Sequence, residues 1–261
     1  MPIIDIQLSG ATSDWPTLRT AAREAETRGY GAVWVLDHLA GLPLGGTSMI
    51  EAFTLLGALA EATDHIELGT MVANVWNRQP GTLVTAMASV AHVADRQVHL
   101  GLGAGAAPGT AWAVEQDLVG TELSPVLADR HARVAHVLDL VDEQWSETRD
   151  ERWATFPLPR PRPTTIVGVN SVALARLAAE RADGVNILWY HPRRERFIDA
   201  YEEAIGDRPF VRTVYTTYSP DLLDPGHPER LAMAECGFDR IVLAVLDGVD
   251  GFLADEASPQ G

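Results

Sequence analysis

Asp37 and His38 stand side by side at the end of an apolar run, in "GAVWVLDHLAG" at residues 31–41. An imidazole titrates close to neutrality and can take or give a proton beside a bound ligand. A neighbouring carboxylate can orient it or hold a ligand hydroxyl. The plainer account is a strand-end aspartate that caps the next loop and a histidine satisfied by backbone. Two further stretches invite the same question. "GLGAG", residues 101–105, fits G-x-G-x-x-A through Gly101, Gly103 and Ala106, but Pro108 and Gly109 follow at once and leave no helix N-terminus for a pyrophosphate. It reads better as a strand end stripped of side chains so that a flat ligand can approach the backbone, or as a tight turn. "VGVNS" leads straight into the helical pattern "VALARLAAERADG". Asn170 and Ser171 can cap that helix, or join its exposed N–H groups in holding a phosphate, and one role does not preclude the other.

Other chemistries lack their residues. The eight histidines form no metal-ligand motif such as H-E-x-x-H, so no metal is expected. His131 and His136 read as solvated helix positions, His191 as a minor candidate after a strand, and Arg130 and Arg133 as an exposed helix face or ion-pair partners. No G-x-S-x-G nucleophile elbow is present. The single cysteine, Cys236, forbids an intramolecular disulfide. A net charge of −16 disfavours nucleic acid and anionic membrane as partners. No basic leader opens the sequence, and no apolar run approaches the roughly 18 residues of a membrane span. The expectation is a soluble, cytoplasmic protein acting on a small molecule.

These residues must be positioned by a repeating frame. Apolar, β-branched segments at residues 3–8, 32–36, 66–73, 98–102, 165–169, 184–188, 210–215 and 240–244 alternate with helix-like ones. The helical patterns start at Ser13 or Asp14, run over about 48–62, begin again near Pro80, and cover about 125–145, 171–181, 192–205 and 228–236. Eight strands, seven of them followed by helices, fit a single (β/α)8 TIM barrel over residues 1–261, with a stunted last helix. A barrel puts its chemistry at the C-terminal ends of its strands, where Asp37, His38 and both loops fall.

Four stretches in order carry a resemblance: "AREAETRGYGAVWVLDHL", "EAFTLLGALAEATDHIELGTMV", "RQPGTLVTAMASVAHVADRQVHLGLGAG" and "VGVNSVALARLAAERADGVN". The sequence resembles the bacterial luciferase-like monooxygenase family, in its actinobacterial branch that uses the deazaflavin coenzyme F-420. The resemblance implies a (β/α)8 barrel holding F-420 at its C-terminal face, and an oxidoreductase that moves a hydride to or from a small organic substrate. The alternatives are an FMN-dependent monooxygenase, or a flavin- or deazaflavin-binding protein without turnover. It implies His38 as the proton-handling residue beside the ring and Asp37 as an acid in contact with it. Met71 and Val72 match a bulge whose non-prolyl cis peptide backs the ring, Ala104 and Gly105 match backbone donors, and Gly168, Val169, Asn170 and Ser171 match the phosphate loop.

There are departures. Ala106 stands where the family's sugar-phosphate dehydrogenases carry a proton-donating glutamate, and Leu42 where they carry a tryptophan after the histidine. The insertion before the fifth strand, on the substrate side, is short. Leu55, Leu56, Val84, Met87 and Val90 put apolar residues on more than one helix face. With the resemblance, that implies a homodimer through these helices.

Overall fold

Eight parallel strands close into one barrel in sequence order. In the computed structural model, which describes residues 1–255 and 257–259, they are β1 (Ile3–Leu8), β2 (Ala32–Val35), β3 (Glu67–Asn74), β4 (Val98–Gly103), β5 (Thr164–Gly168), β6 (Gly184–Leu188), β7 (Val211–Thr217) and β8 (Arg240–Val245). The helices are α1 (Trp15–Thr27), α2 (Ala52–Ala62), α3 (Pro80–Ala94), α4 (Val114–Leu118), α5 (Leu127–Gln144), α6 (Val172–Arg181), α7 (Arg194–Ile205), α8 (Pro228–Glu235) and the short α9 (Asp250–Ala254). The (β/α)8 barrel expected from the alternating pattern is the fold observed. No helix among the described residues is long and apolar enough to cross a membrane.

Strand alternation sorts the side chains. Val33 and Val35 pack outward among the helices, while Ala32 and Trp34 join Met71, Ile166 and Val242 along the barrel axis. Below that apolar layer, at the N-terminal ends of the strands, Asp5, Trp34, Glu67, His99 and Arg240 form a polar cluster. Arg240 spans Asp5 (2.7 and 2.9 Å) and Glu67 (2.7 Å), Trp34 Nε1 donates to Asp5 (3.0 Å), and His99 Nε2 meets Glu67 at 2.9 Å. The C-terminal ends are left open above.

Several expectations are corrected. The second helix begins at Ala52, not near Ser48, because Glu51 caps it by accepting from the Thr54 N–H at 2.7 Å. Between the fourth strand and the helical pattern at about 125–145, where no element was expected, lies α4, whose inward residues Glu115 and Gln116 are polar and so gave no apolar stripe. Arg130 and Arg133 are not on a solvated face. Arg130 is buried and donates to the Ser124 carbonyl, and Arg133 donates to the Val75 carbonyl at 2.7 Å while lying 4.6 Å over the Trp76 ring. Leu55, Leu56, Val84, Met87 and Val90 are all buried within the chain, so the apolar surplus offered for a homodimer is spent inside the barrel wall.

The bulge expected in β3 is present. Pairing with β4 shifts register between Thr70 and Ala73, and the Met71–Val72 peptide is cis. The shift explains Gly103 of "GLGAG" and Gly168 of "VGVNS". A Cβ on Gly103 would stand 2.6 Å from Val72 Cγ2, and one on Gly168 would stand 2.9 Å from Val72 Cγ1. These two glycines make room for the bulged strand's own valine, and the ligand-approach reading becomes secondary.

Candidate active site

A cavity of about 410 Å³ opens at the C-terminal mouth of the barrel. Asp37, His38, Met71, Val72, Ala104, Gly105, Gly168, Val169 and Asn170 all line it, though they come from four different strand ends. Ser171 lies one residue beyond. Its hydroxyl caps α6 by accepting from the Leu174 N–H at 3.2 Å, and it stands 3.4 Å from His131 Nε2. The helix-capping account of Ser171 therefore holds, and Asn170 faces the cavity beside it.

His38 is held by a residue that the sequence reading passed over. Its Nδ1 lies 3.0 Å from Glu115 Oε1, and Glu115 Oε2 accepts from the Leu39 N–H (2.9 Å) and the Ala40 N–H (3.1 Å). Gln116 Nε2 adds a bond to Glu115 Oε1 (3.0 Å) and reaches Asn77 Oδ1 (2.7 Å). Burial works against the ionised Glu115, but the bonds from His38, Ala40 and Leu39 outweigh it and hold the carboxyl below its ordinary value. An ionised carboxylate can only accept, so Nδ1 of His38 carries the proton. In the neutral imidazole Nε2 then keeps its lone pair, and among the described residues it has no protein partner. Trp112, with its ring centroid 5.8 Å from that of His38, completes this side of the cavity.

Asp37 lines the cavity, and its carboxylate is also engaged within the chain. Arg78 grips both of its oxygens at 2.8 Å, and the Asn74 N–H donates to it at 2.9 Å. Arg78 also pairs with Glu51 at the start of α2, and Asn77 Nδ2 donates to the Asp37 carbonyl at 2.9 Å. The aspartate thus ties the end of β2 to the turn between β3 and α3, and it sets where His38 begins. Deeper in, Gln7 donates to the Met71 carbonyl and Asn186 Nδ2 donates to Thr213 Oγ1 at 2.7 Å, so the polar side chains at the cavity floor are anchored. No cluster of metal-ligating side chains occurs among the described residues.

Neither Trp112 nor Glu115 was singled out in the sequence. In "AWAVEQDL" they stand three residues apart, Trp112 in the 3-10 turn Ala111–Ala113 and Glu115 in α4, which follows it directly. They supply a tryptophan and a glutamate beside His38, from a different position than the family's Leu42 and Ala106 sites.

The family model for luciferase-like monooxygenases matches residues 4–211. Among curated proteins, the chain is similar to an F-420-dependent glucose-6-phosphate dehydrogenase from Segniliparus rotundus, with 26% identity over 170 residues, covering 61% of this chain and 49% of that protein. It is also similar to a 5,10-methylenetetrahydromethanopterin reductase from Methanolobus tindarius, at 28% over 185 residues, covering 68% and 52%. The chain spans about half the length of the curated relatives it matches. Among solved structures, an F-420-dependent secondary alcohol dehydrogenase in complex with an F-420–acetone adduct superposes with a TM-score of 0.76 at 16% identity, covering 94% of this chain and 93% of that one. A long-chain alkane monooxygenase superposes with a TM-score of 0.70 at 11% identity, covering 98% and 88%. At such identities the two structures share the fold. With the family model matching most of the chain, and with the bulged third strand and the histidine at the second strand's end in place, this protein belongs to the luciferase-like monooxygenase family.

Proposed function

We propose that the protein is an oxidoreductase that binds the deazaflavin coenzyme F-420 and exchanges a hydride with a small organic substrate, His38 handling the substrate's proton. The observation that carries this reading is the union, in one cavity, of the positions that the family resemblance assigns to the cofactor with an imidazole held by a buried carboxylate. The curated relatives named for F-420 dependence support the cofactor.

The residues present fit such a group. A flat ring needs an apolar slot with a few fixed polar edges, and Met71, Val72 and Val169 provide the slot while Gln7 and Asn186 stand anchored at its floor. Asn170, Ser171 and the N-terminus of α6 would hold a phosphate, and Arg193, which donates to the Asn170 carbonyl at 3.2 Å, adds positive charge there. When bound, the deazaflavin supplies the hydride acceptor or donor.

The chain's own part is proton handling and orientation. Glu115 fixes the His38 ring and its Nδ1–H tautomer, so that Nε2 is the basic atom. Nε2 takes the hydroxyl proton of an alcohol as it becomes a carbonyl, and returns it to the oxygen in the reverse direction. Trp112 packs its ring beside the imidazole, with centroids 5.8 Å apart.

Titration of the purified chain with F-420 and with FMN tests the assignment. Micromolar binding of F-420, with FMN much weaker, is the expected result. Binding of FMN alone would transfer the assignment to a flavin monooxygenase, and F-420 binding without turnover of any alcohol or carbonyl would mark a carrier.

A further inference from the structure

Every one of the 20 basic side chains in this chain is an arginine, and none of them lines the cavity. Those near the mouth are committed elsewhere. Arg78 is held by Asp37 and Glu51, and Arg133 by the Val75 carbonyl and the Trp76 ring. Arg194 donates to the Trp189 carbonyl at 2.7 Å and lies 3.8 Å over that ring. Arg193 stands outside, at the Asn170 loop that would take the cofactor phosphate. His191 lines the cavity, but burial and the neighbouring Arg193 push its imidazole below its ordinary value, so it adds no cation at neutral pH. A phosphate or carboxylate seated beside His38 would meet no positive partner, only the Glu115 carboxylate behind the imidazole. An anion left unpaired in a cavity costs several kcal/mol.

The wall next to His38 has the opposite character. Trp112 lies beside His38, Leu44 and Leu246 line the same cavity, and Trp112 is 53% exposed. The short α4 is inverted for a surface helix: Glu115 and Gln116 are buried beneath it, while Val114 and Leu118 face out, Leu118 79% exposed. The apolar wall therefore continues from the cavity to the outer surface along this segment. Isolated exposed leucines need no partner, but an apolar rim continuous with a cavity marks where a ligand's apolar part can lie.

We infer that the substrate is an uncharged alcohol or ketone bearing an apolar substituent, with its oxygen at His38 Nε2 and its substituent on the Leu44, Trp112 and Leu246 wall, and that phosphorylated substrates are excluded. This rests on the oxidoreductase reading of the same cavity. It separates the chain from the sugar-phosphate dehydrogenases it resembles in sequence.

Calorimetric titrations of the full chain, with and without oxidised F-420, test it. The probes are straight-chain methyl ketones from acetone to hexyl methyl ketone, with glucose 6-phosphate as the anionic probe. Affinity should rise about 4-fold per added methylene, the factor that corresponds to ~0.8 kcal/mol, and glucose 6-phosphate should show no saturable binding or turnover. Trp112→Ala should flatten the chain-length dependence and Trp112→Phe should restore most of it. Saturable glucose 6-phosphate binding, a flat or absent ketone series in both conditions, or an unchanged slope in Trp112→Ala would each overturn the inference. Ketone binding with the expected slope in a chain that does not bind F-420 would uphold the apolar wall while removing the oxidoreductase reading.

Discussion

Glu115 is 2% exposed, and both of its oxygens are spent on holding His38 and the two backbone amides that follow it. Removing the imidazole and removing its holder should therefore have different signatures. His38→Ala should lower turnover by about 100-fold or more, the range for a lost general acid–base group, with cofactor affinity changed far less than turnover. Glu115→Gln keeps the shape but presents an amide N–H₂ to a site lined with donors, so the imidazole loses its fixed tautomer and kcat falls with a shifted pH profile. A Glu115→Gln variant with full kcat would remove the dyad from the mechanism. The same carboxyl gives a stability signature. Its folded value lies below 4.5, so its bonds contribute fully above pH 4.5 and that contribution is lost as pH falls through the lowered value. The stability gap between wild type and Glu115→Gln should hold through neutral pH and close in acid, as read from denaturant midpoints. His38 was legible because a polar pair ended an apolar run. Glu115 was not, because α4 turns its polar side inward and hydrophobic periodicity is blind to that arrangement.

At the scale of elements, the turn between β3 and α3 is organised by one ion pair. Arg78 is bound bidentately by Asp37, which has no exposed side-chain surface, and the arginine also lies 4.6 Å over the Phe53 ring of α2. Asp37→Ala leaves a mostly buried guanidinium with only the partly exposed Glu51, at a cost of roughly 3–5 kcal/mol. Glu51→Gln removes a partner that is 40% exposed, and should cost about 1 kcal/mol or less. Comparable midpoint shifts in chemical denaturation for the two variants would show that Asp37 is not the anchor. Strand identities were readable from β-branched apolar runs, and so was the barrel from their number. The tie from Asp37 to Arg78 was not legible, because nothing local says that Arg78, 41 residues on, reaches back to it. Gly103 read as space for a ligand, and Gly168 as part of a phosphate loop. Their neighbour is Val72, and only the register shift in β3 brings it there.

For the whole molecule, the two ends of the barrel do different work. The C-terminal mouth carries the cavity, while the N-terminal end is closed by a polar cluster that joins β1, β2, β3, β4 and β8 across the seam where the sheet meets itself. Asp5 and Arg240 are 235 residues apart, so their pairing was invisible in the sequence, and it exists only once the barrel has closed. Both are buried, and the Trp34 indole stacks on the His99 imidazole with centroids 5.0 Å apart, so water has little access to the pair. Arg240→Met leaves the Asp5 carboxylate buried with only Trp34 as donor, and should lower stability by roughly 3–5 kcal/mol. Adding Asp5→Leu removes the stranded charge, and the double variant should recover most of the loss, because apolar replacement of a whole buried pair is often close to neutral. Glu67 keeps His99 and is 32% exposed, so it tolerates the loss of Arg240. Chemical denaturation with an unchanged slope gives both numbers. A single-variant loss below about 1 kcal/mol, the size of a surface pair, would mean that the cluster is solvated and does not close the barrel. Because the cluster and the cavity lie at opposite ends, the F-420 affinity of the folded single variant should match the wild type, separating the residues that hold the barrel shut from those that act at its mouth.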